Sequence, residues 1–126
     1  MKKIFSKFWK SSKQPRKQRK YRHNAPLHLK RKFLSTTLSK DLREKYGKRN
    51  VKIRVGDTVT VMAGQFKKKT GIVSRVDMKK IKIYVEGVEM IKRDGSKVQY
   101  PITPSNLMIT ELLLTDLKRT ESLNRK

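Results

Sequence analysis

From Thr58 onward the chain alternates apolar and polar residues with a period of two, the mark of short strands with one buried face. Val59, Val61 and Ala63 alternate with Thr58, Thr60 and Met62 until Gly64 breaks the run into a basic loop, Lys67-Lys68-Lys69. A second run from Gly71 to Val76 and a third from Lys80 to Glu86 keep the same period. Three adjacent lysines at a tight turn repel one another unless an anion lies against them, which makes the loop a candidate contact surface. Beyond Glu86, Asp94-Gly95 predicts a two-residue type I′ hairpin turn. That register sets Arg93 opposite Ser96, Ile91 opposite Val98 and Lys92 opposite Lys97. Two lysines facing across a ladder either splay into water or meet phosphate. Thr103-Pro104-Ser105-Asn106 reads as one helical turn with Thr103 capping and Pro104 in the first position, after which Leu107-Met108-Ile109 returns as a closing strand.

Upstream the period lengthens. Ser39 is placed to cap a short helix with Asp41 in its first turn and Gly47 at its end, packed through Leu38, Leu42 and Tyr46. Pro15 suits the first turn of another short helix running to about Arg22. Residues 1–11 set Ile4, Phe5, Phe8 and Trp9 at helical spacing opposite Lys2, Lys3, Lys7 and Lys10, a basic amphipathic segment fit for an anionic surface or an anchor in a larger assembly. It is too short to be a helix by itself in water. At the other end, Leu112-Leu113-Leu114 leads into a short helix expected after Thr115 or Asp116. The fold class is therefore mainly β: a small five-stranded SH3-like barrel over residues 51–110, a basic arm over 1–37, a helix and linker over 38–50, and a short tail over 111–126.

Charge changes this picture most. The 34 Lys and Arg against 10 Asp and Glu give the chain a formal charge of +24. Residues 1–40 carry 14 of the basic residues and no acid. Such a balance opposes compaction unless a polyanion offsets it, and nucleic acid is the natural partner. Between Lys13 and Lys32, Arg16, Lys17, Arg19, Lys20, Arg22, Lys30, Arg31 and Lys32 have no acid nearby, and the aromatics Tyr21 and Phe33 interleave with them. Without a phosphate lattice a helix this basic is unstable, so the arm is expected to order on RNA. The candidate RNA-binding set is those eight cations with Lys67, Lys68, Lys69, Lys92 and Lys97. Gly56, Gly64, Gly71, Asp94 and Gly95 are the structural turn positions.

Catalysis finds no support in the residues. His23 and His28, the two histidines, both lie in the basic arm, Asp57 has no carboxylate partner at useful spacing, and the glycines near Gly64 do not make a P-loop. No cofactor, metal or small-molecule substrate is implied. Without cysteine the chain forms no disulfide. Ser6, Lys7 and Lys10 interrupt any apolar run of signal-peptide length, so an intracellular protein without membrane contact is expected.

Gly56-Asp57, the Gly64-x-x-Lys67 turn, Gly71 and the strand after it resemble the KOW motif of ribosomal proteins and transcription elongation factors. Lys68 stands where that motif usually has glycine. Arg16 to Pro26, Leu38 to Arg43 with Tyr46-Gly47, and Pro101 to Asn106 widen the likeness to residues 12–112. There the chain is similar to the archaeal and eukaryotic KOW-containing large-subunit ribosomal proteins, also called the L26e family. Thr103 replaces a frequent histidine, and residues 1–11 match nothing in the family. The resemblance implies a structural constituent of the large ribosomal subunit, cytoplasmic and ribosome-bound. It further implies binding to large-subunit rRNA near its 5′ region and to neighbouring ribosomal proteins, early entry into assembly, and a place by the polypeptide exit tunnel. The alternative is a KOW-type elongation-factor module that binds RNA polymerase, though such factors usually carry a preceding α/β domain that the basic first fifty residues do not suit. A membrane-surface role for residues 1–10 is the third reading.

Overall fold

A computed structural model describes residues 5–6, 8–9 and 12–125. The arm forms helices α1 (Pro15–Asn24) and α2 (Leu27–Phe33), followed by strand β1 (Ser35–Leu38), helix α3 (Lys40–Tyr46) and strand β2 (Asn50–Lys52). Then come β3 (Thr58–Val61), β4 (Thr70–Asp77), β5 (Lys82–Val85), β6 (Glu89–Ile91) and β7 (Lys97–Gln99). A 3₁₀ turn (Pro104–Asn106), β8 (Leu107–Glu111) and helix α4 (Leu117–Asn124) complete the chain.

The two-residue period does what it predicted. Val59 and Val61 on β3, Ile83 and Val85 on β5, and Leu107 and Ile109 on β8 are buried, while the residues between them are only half-covered. Each fully buried aliphatic side chain contributes about 1.5–3 kcal/mol, so this one face supplies most of the cohesion. The ladders form a six-stranded mixed sheet in the order β2-β1-β8-β3-β4-β5, with β6 and β7 as a separate hairpin. All pairs are antiparallel except β1 with β8.

Three features depart from the sequence reading. Ser35-Thr36-Thr37-Leu38 is a strand, so Leu38 packs in the core from β1 and not from the helix behind it. The hairpin register is one residue off: Ile91 pairs with Lys97 and Met90 with Val98. Its turn has three residues, because the Gly95 N–H donates to the Lys92 carbonyl at 3.0 Å, Gly95 takes φ 81°, and Lys92 N–H donates to the Ser96 carbonyl. This is a type I turn with glycine in the bulge position rather than a type I′ turn. Asp94 favours it by accepting from the Ser96 N–H at 3.0 Å and hydroxyl at 2.6 Å. Lastly, Gly71 lies inside β4 rather than at a turn. A Cβ there would stand 2.4 Å from the Glu86 carbonyl oxygen, so glycine is needed for close approach.

The helix caps follow expectation. Ser39 Oγ accepts from the Leu42 N–H, and Gly47, at φ 63°, donates to the Arg43 carbonyl at 2.8 Å. Pro104 opens its turn as predicted, but Thr103 caps it by its backbone carbonyl and not its side chain. Asp116 caps α4, accepting from the Lys118 N–H at 2.9 Å.

The tail is fastened to the core. Arg119, on α4, reaches Asp57 with both terminal nitrogens, at 2.6 and 2.7 Å, and both side chains are buried. Asp57 also accepts from the Arg54 N–H at 2.8 Å and the Leu113 N–H at 3.1 Å. One carboxylate therefore ties the turn before β3 to the segment after β8.

Candidate nucleic-acid interface

The arm's helices have distinct inner and outer faces. At a helical turn per 3.6 residues, Arg16 and Arg19 lie on the face of α1 opposite Tyr21, Lys20 and Arg22 project to either side about 100° from it, and Lys17 lies nearest to it, about 40° away. All five cations are on the outside of the arm, none of them buried. Pro15 occupies the first turn as expected, and Pro26 caps α2 with extended backbone, so buried Ala25 joins the two helices at a fixed corner. On α2, Arg31 and Lys32 are exposed. Lys30 is half-buried, and its Nζ donates to the Lys79 carbonyl at 3.2 Å, which latches α2 to the turn after β4. One of its three donors is committed there.

The lysine loop is a rigid turn. Val61 N–H donates to the Lys69 carbonyl and Lys68 N–H to the Val61 carbonyl, each at 2.8 Å, while Lys67 N–H donates back to Gly64. Gly64 takes φ 99° and Lys68 φ 72°, so Lys68 adopts the left-handed geometry for which glycine is better suited. That costs about 1–2 kcal/mol, offset by the two hydrogen bonds that bracket it. Phe66 folds inward onto Tyr100, with ring centroids 5.1 Å apart. Lys67, Lys68 and Lys69 are left exposed, with Lys69 Nζ over the Phe66 ring at 5.3 Å.

In the hairpin, Lys92 and Lys97 are exposed but do not face each other, so the repulsion expected between them is relieved by the register itself. Tyr100, just beyond β7, contacts Phe66 and brings the hairpin's base beside the lysine loop. The arm is elsewhere. Its latch meets the turn after Asp77, whereas the loop ends at Thr70, and the length of β4 separates the two by about 23 Å at roughly 3.3 Å per residue. That exceeds the Debye length of about 8 Å at physiological salt, so the cations form two independent groups.

Among the described residues the ion pairs are Arg54–Asp116, Arg75–Asp77 and Arg119–Asp57, and none of the candidate RNA-binding cations takes part in one. Their charge is uncompensated by any of these pairs. The acids near them are held in turns. The Ser96 hydroxyl and N–H keep the Asp94 carboxyl below the usual carboxylate value, the Lys80 N–H does so for Asp77, and the Arg54 guanidinium does so for Asp116.

Some cations escaped the sequence reading. A groove of about 840 Å³ opens between β2, the end of α2 and α4, and there Lys52, Arg54 and Lys118 join Arg31, which the sequence had already marked. The two-residue spacing of Lys52 and Arg54 around buried Ile53 was the available signal. Arg75 lies over Tyr84 at 5.1 Å across the β4–β5 ladder, a pairing visible only once the register is known. His23 and His28 are exposed, and no cluster of three metal-ligating side chains occurs among the described residues. No described helix is long and apolar enough to cross a membrane.

Comparison with known proteins bears on what this charged surface is for. The family model for ribosomal proteins named L26 in eukaryotes and L24 in archaea matches residues 12–126. A relative from Methanocorpusculum labreanum, large ribosomal subunit protein uL24, is 49% identical over 116 residues, spanning 92% of this chain and 96% of that protein. These are ribosomal proteins, a structural and not an enzymatic class. With its sheet, its two cationic groups and nearly its whole length inside that match, the chain belongs to the family that unites eukaryotic ribosomal protein L26 with archaeal ribosomal protein L24.

Proposed function

We propose that this chain is a structural constituent of the large ribosomal subunit that clamps folded large-subunit rRNA between two cationic groups, one on the arm and one at the lysine loop and hairpin. The observation that carries the reading is that thirteen candidate cations are free of internal ion pairs in a chain of formal charge +24. Each lysine or arginine that meets a phosphate releases condensed counterions, which supplies affinity without base reading. Two groups set off from opposite ends of β4, a strand about 23 Å long, select RNA by shape, in keeping with how proteins recognise A-form RNA. Neighbouring ribosomal proteins are the remaining partners, and the location is cytoplasmic and ribosome-bound. Early entry into assembly and a place by the exit tunnel follow from the resemblance.

The five-stranded SH3-like barrel belongs to this proposal. It is supported by reciprocal hydrogen bonds of 2.9 Å between Ile83 and Ile102, which connect β5 to the segment that continues through the 3₁₀ turn into β8, itself paired with β3. The barrel reading rests on those links, since the ladders themselves form an open sheet and the Ile83–Ile102 bridge is isolated. The elongation-factor alternative has no support from the family match.

Subunit fractionation tests the function. The chain should cosediment with large subunits after a high-salt wash; recovery with RNA polymerase or in the membrane fraction would contradict the proposal.

A further inference from the structure

Helix α1 has little to hold it. Its sequence, PRKQRKYRHN, contains five Lys and Arg, no acid in the first turn and no side-chain cap, and none of its residues is buried. Ten residues of that composition do not sustain a helix in water. Tyr21, its one aromatic residue, supplies its ring contacts. The Tyr21 ring meets Phe5 at 4.9 Å, Trp9 at 5.8 Å and Phe33 edge-on at 6.4 Å. Phe33 packs in turn against the sheet's core, and Arg22 lies over it at 6.0 Å. A continuous run of rings thus leads from the first residues of the chain, through α1, to the buried face.

The origin of these rings matters. Tyr21 and Phe33 fall inside the family match, which begins at residue 12, but Phe5 and Trp9 precede it. The amphipathic helix expected for residues 1–11 is not what Phe5, Ser6, Phe8 and Trp9 form: none of them is helical, and the other residues of that segment lie outside the described ones. Phe5 and Trp9 turn onto Tyr21 instead, a use that a membrane-lying helix would not permit.

We propose that Phe5 and Trp9 are positioning residues for RNA binding. They close over Tyr21, hold α1 against α2, and so present Arg16, Arg19 and Lys20 as an ordered outward row before the RNA arrives. This rests on the RNA-binding reading above and deepens it. Ordering in advance lowers the conformational cost of binding, because apparent affinity scales with the fraction of chains already in the competent state. Aromatic pairs of this geometry are strong enough to change that fraction roughly tenfold when two are removed. The extension therefore changes the arm from a segment that orders only on RNA to one ordered beforehand.

The test uses the full chain carrying Phe5→Ala and Trp9→Ala, with Trp9→Phe as the conservative comparison, and large-subunit rRNA as the probe. Amide exchange of the free double variant should lose protection over residues 15–24 while β3 to β5 keep theirs. Its rRNA affinity should fall about tenfold with the salt slope unchanged, because no cation has been removed. Trp9→Phe, by contrast, should keep both properties of the parent. Trp9 is the chain's single tryptophan, so its emission should shift to the red when Tyr21→Ala removes the ring beneath it. Unchanged affinity or unchanged α1 exchange in the double variant overturns the proposal. So does loss of protection in the sheet, since the rings would then belong to the core. If the parent chain itself fails to bind rRNA, it is the functional reading that falls, and the exchange result still decides whether the rings order the arm.

Discussion

Replacing Arg119 with alanine should be among the most destabilising single changes in the chain. The substitution removes both guanidinium contacts to Asp57 and the 2.9 Å bond from Nη1 to the Leu113 carbonyl. It leaves a fully buried carboxylate with two backbone donors, from Arg54 and Leu113. Breaking a buried pair by deleting one partner costs about 3–5 kcal/mol, and the two surviving hydrogen bonds place this case at the lower end, about 3 kcal/mol. For a domain of this size that corresponds to a fall in Tm of roughly 12 °C. Denaturant unfolding of the RNA-free protein measures it directly. Converting both partners together, Asp57→Asn with Arg119→Met, removes the stranded charge and should recover much of the loss. A loss below about 1 kcal/mol for Arg119→Ala, or a double variant as unstable as the sum of its parts, would refute the idea that this ion pair fastens the tail to the sheet.

Other predictions follow from the same geometry. Changing Lys67, Lys68 and Lys69 to alanine should flatten the salt slope of rRNA binding by about 2–3 units, at ~0.7 to ~0.9 per phosphate contact, and an unchanged slope would mean that the loop points away from RNA. Gly71→Ala drives a Cβ to 2.4 Å from the Glu86 carbonyl oxygen, so a loss of about 1–3 kcal/mol is expected in thermal unfolding; a neutral result would contradict the close approach of β4 and β5. Because hydrogen bonds hold Asp77, Asp94 and Asp116 below the ordinary aspartate value of about 3.9, their contribution is complete above that pH and disappears as pH falls through their lowered values. Acid titration followed by NMR should therefore release the Ser96 N–H from Asp94 and loosen the start of α4 only below about pH 4, and release near neutral pH would refute the assignment.

How much of this was legible in the sequence depended on distance along the chain. The strands β3, β5 and β8 carry their period in consecutive residues and could be read directly, whereas the two-residue period expected over β4 is interrupted where the register shifts between Val73 and Arg75. Strand β1 could not, because four residues with two adjacent threonines sit directly after a basic run and display only Thr36 and Leu38 inward. Asp94-Gly95 announced a hairpin but not its length, since the same dipeptide serves a two-residue turn and a three-residue turn with a bulge; the Asp94–Ser96 bonds are part of what decides it. Asp57 and Arg119 are 62 residues apart, and no local pattern joins them. In the interface, charge alone marked the arm and the loop, but their separation along β4 and the diversion of Lys30 to the Lys79 carbonyl required the fold. Tyr21 stood out as an aromatic among cations, whereas helical spacing misdirected the reading of its partners Phe5 and Trp9.

The salt dependence of rRNA binding by the full chain is the most direct measurement of whether two cationic groups on one sheet grip the same RNA. With Arg16, Arg19 and Lys20 engaged together with Lys67, Lys68 and Lys69, about six phosphate contacts give a slope of log K against log salt of about −4 to −5, and neutralising either triad should remove about half of it. A slope flatter than about −2, or one that either triad alone accounts for entirely, would contradict the two-group grip.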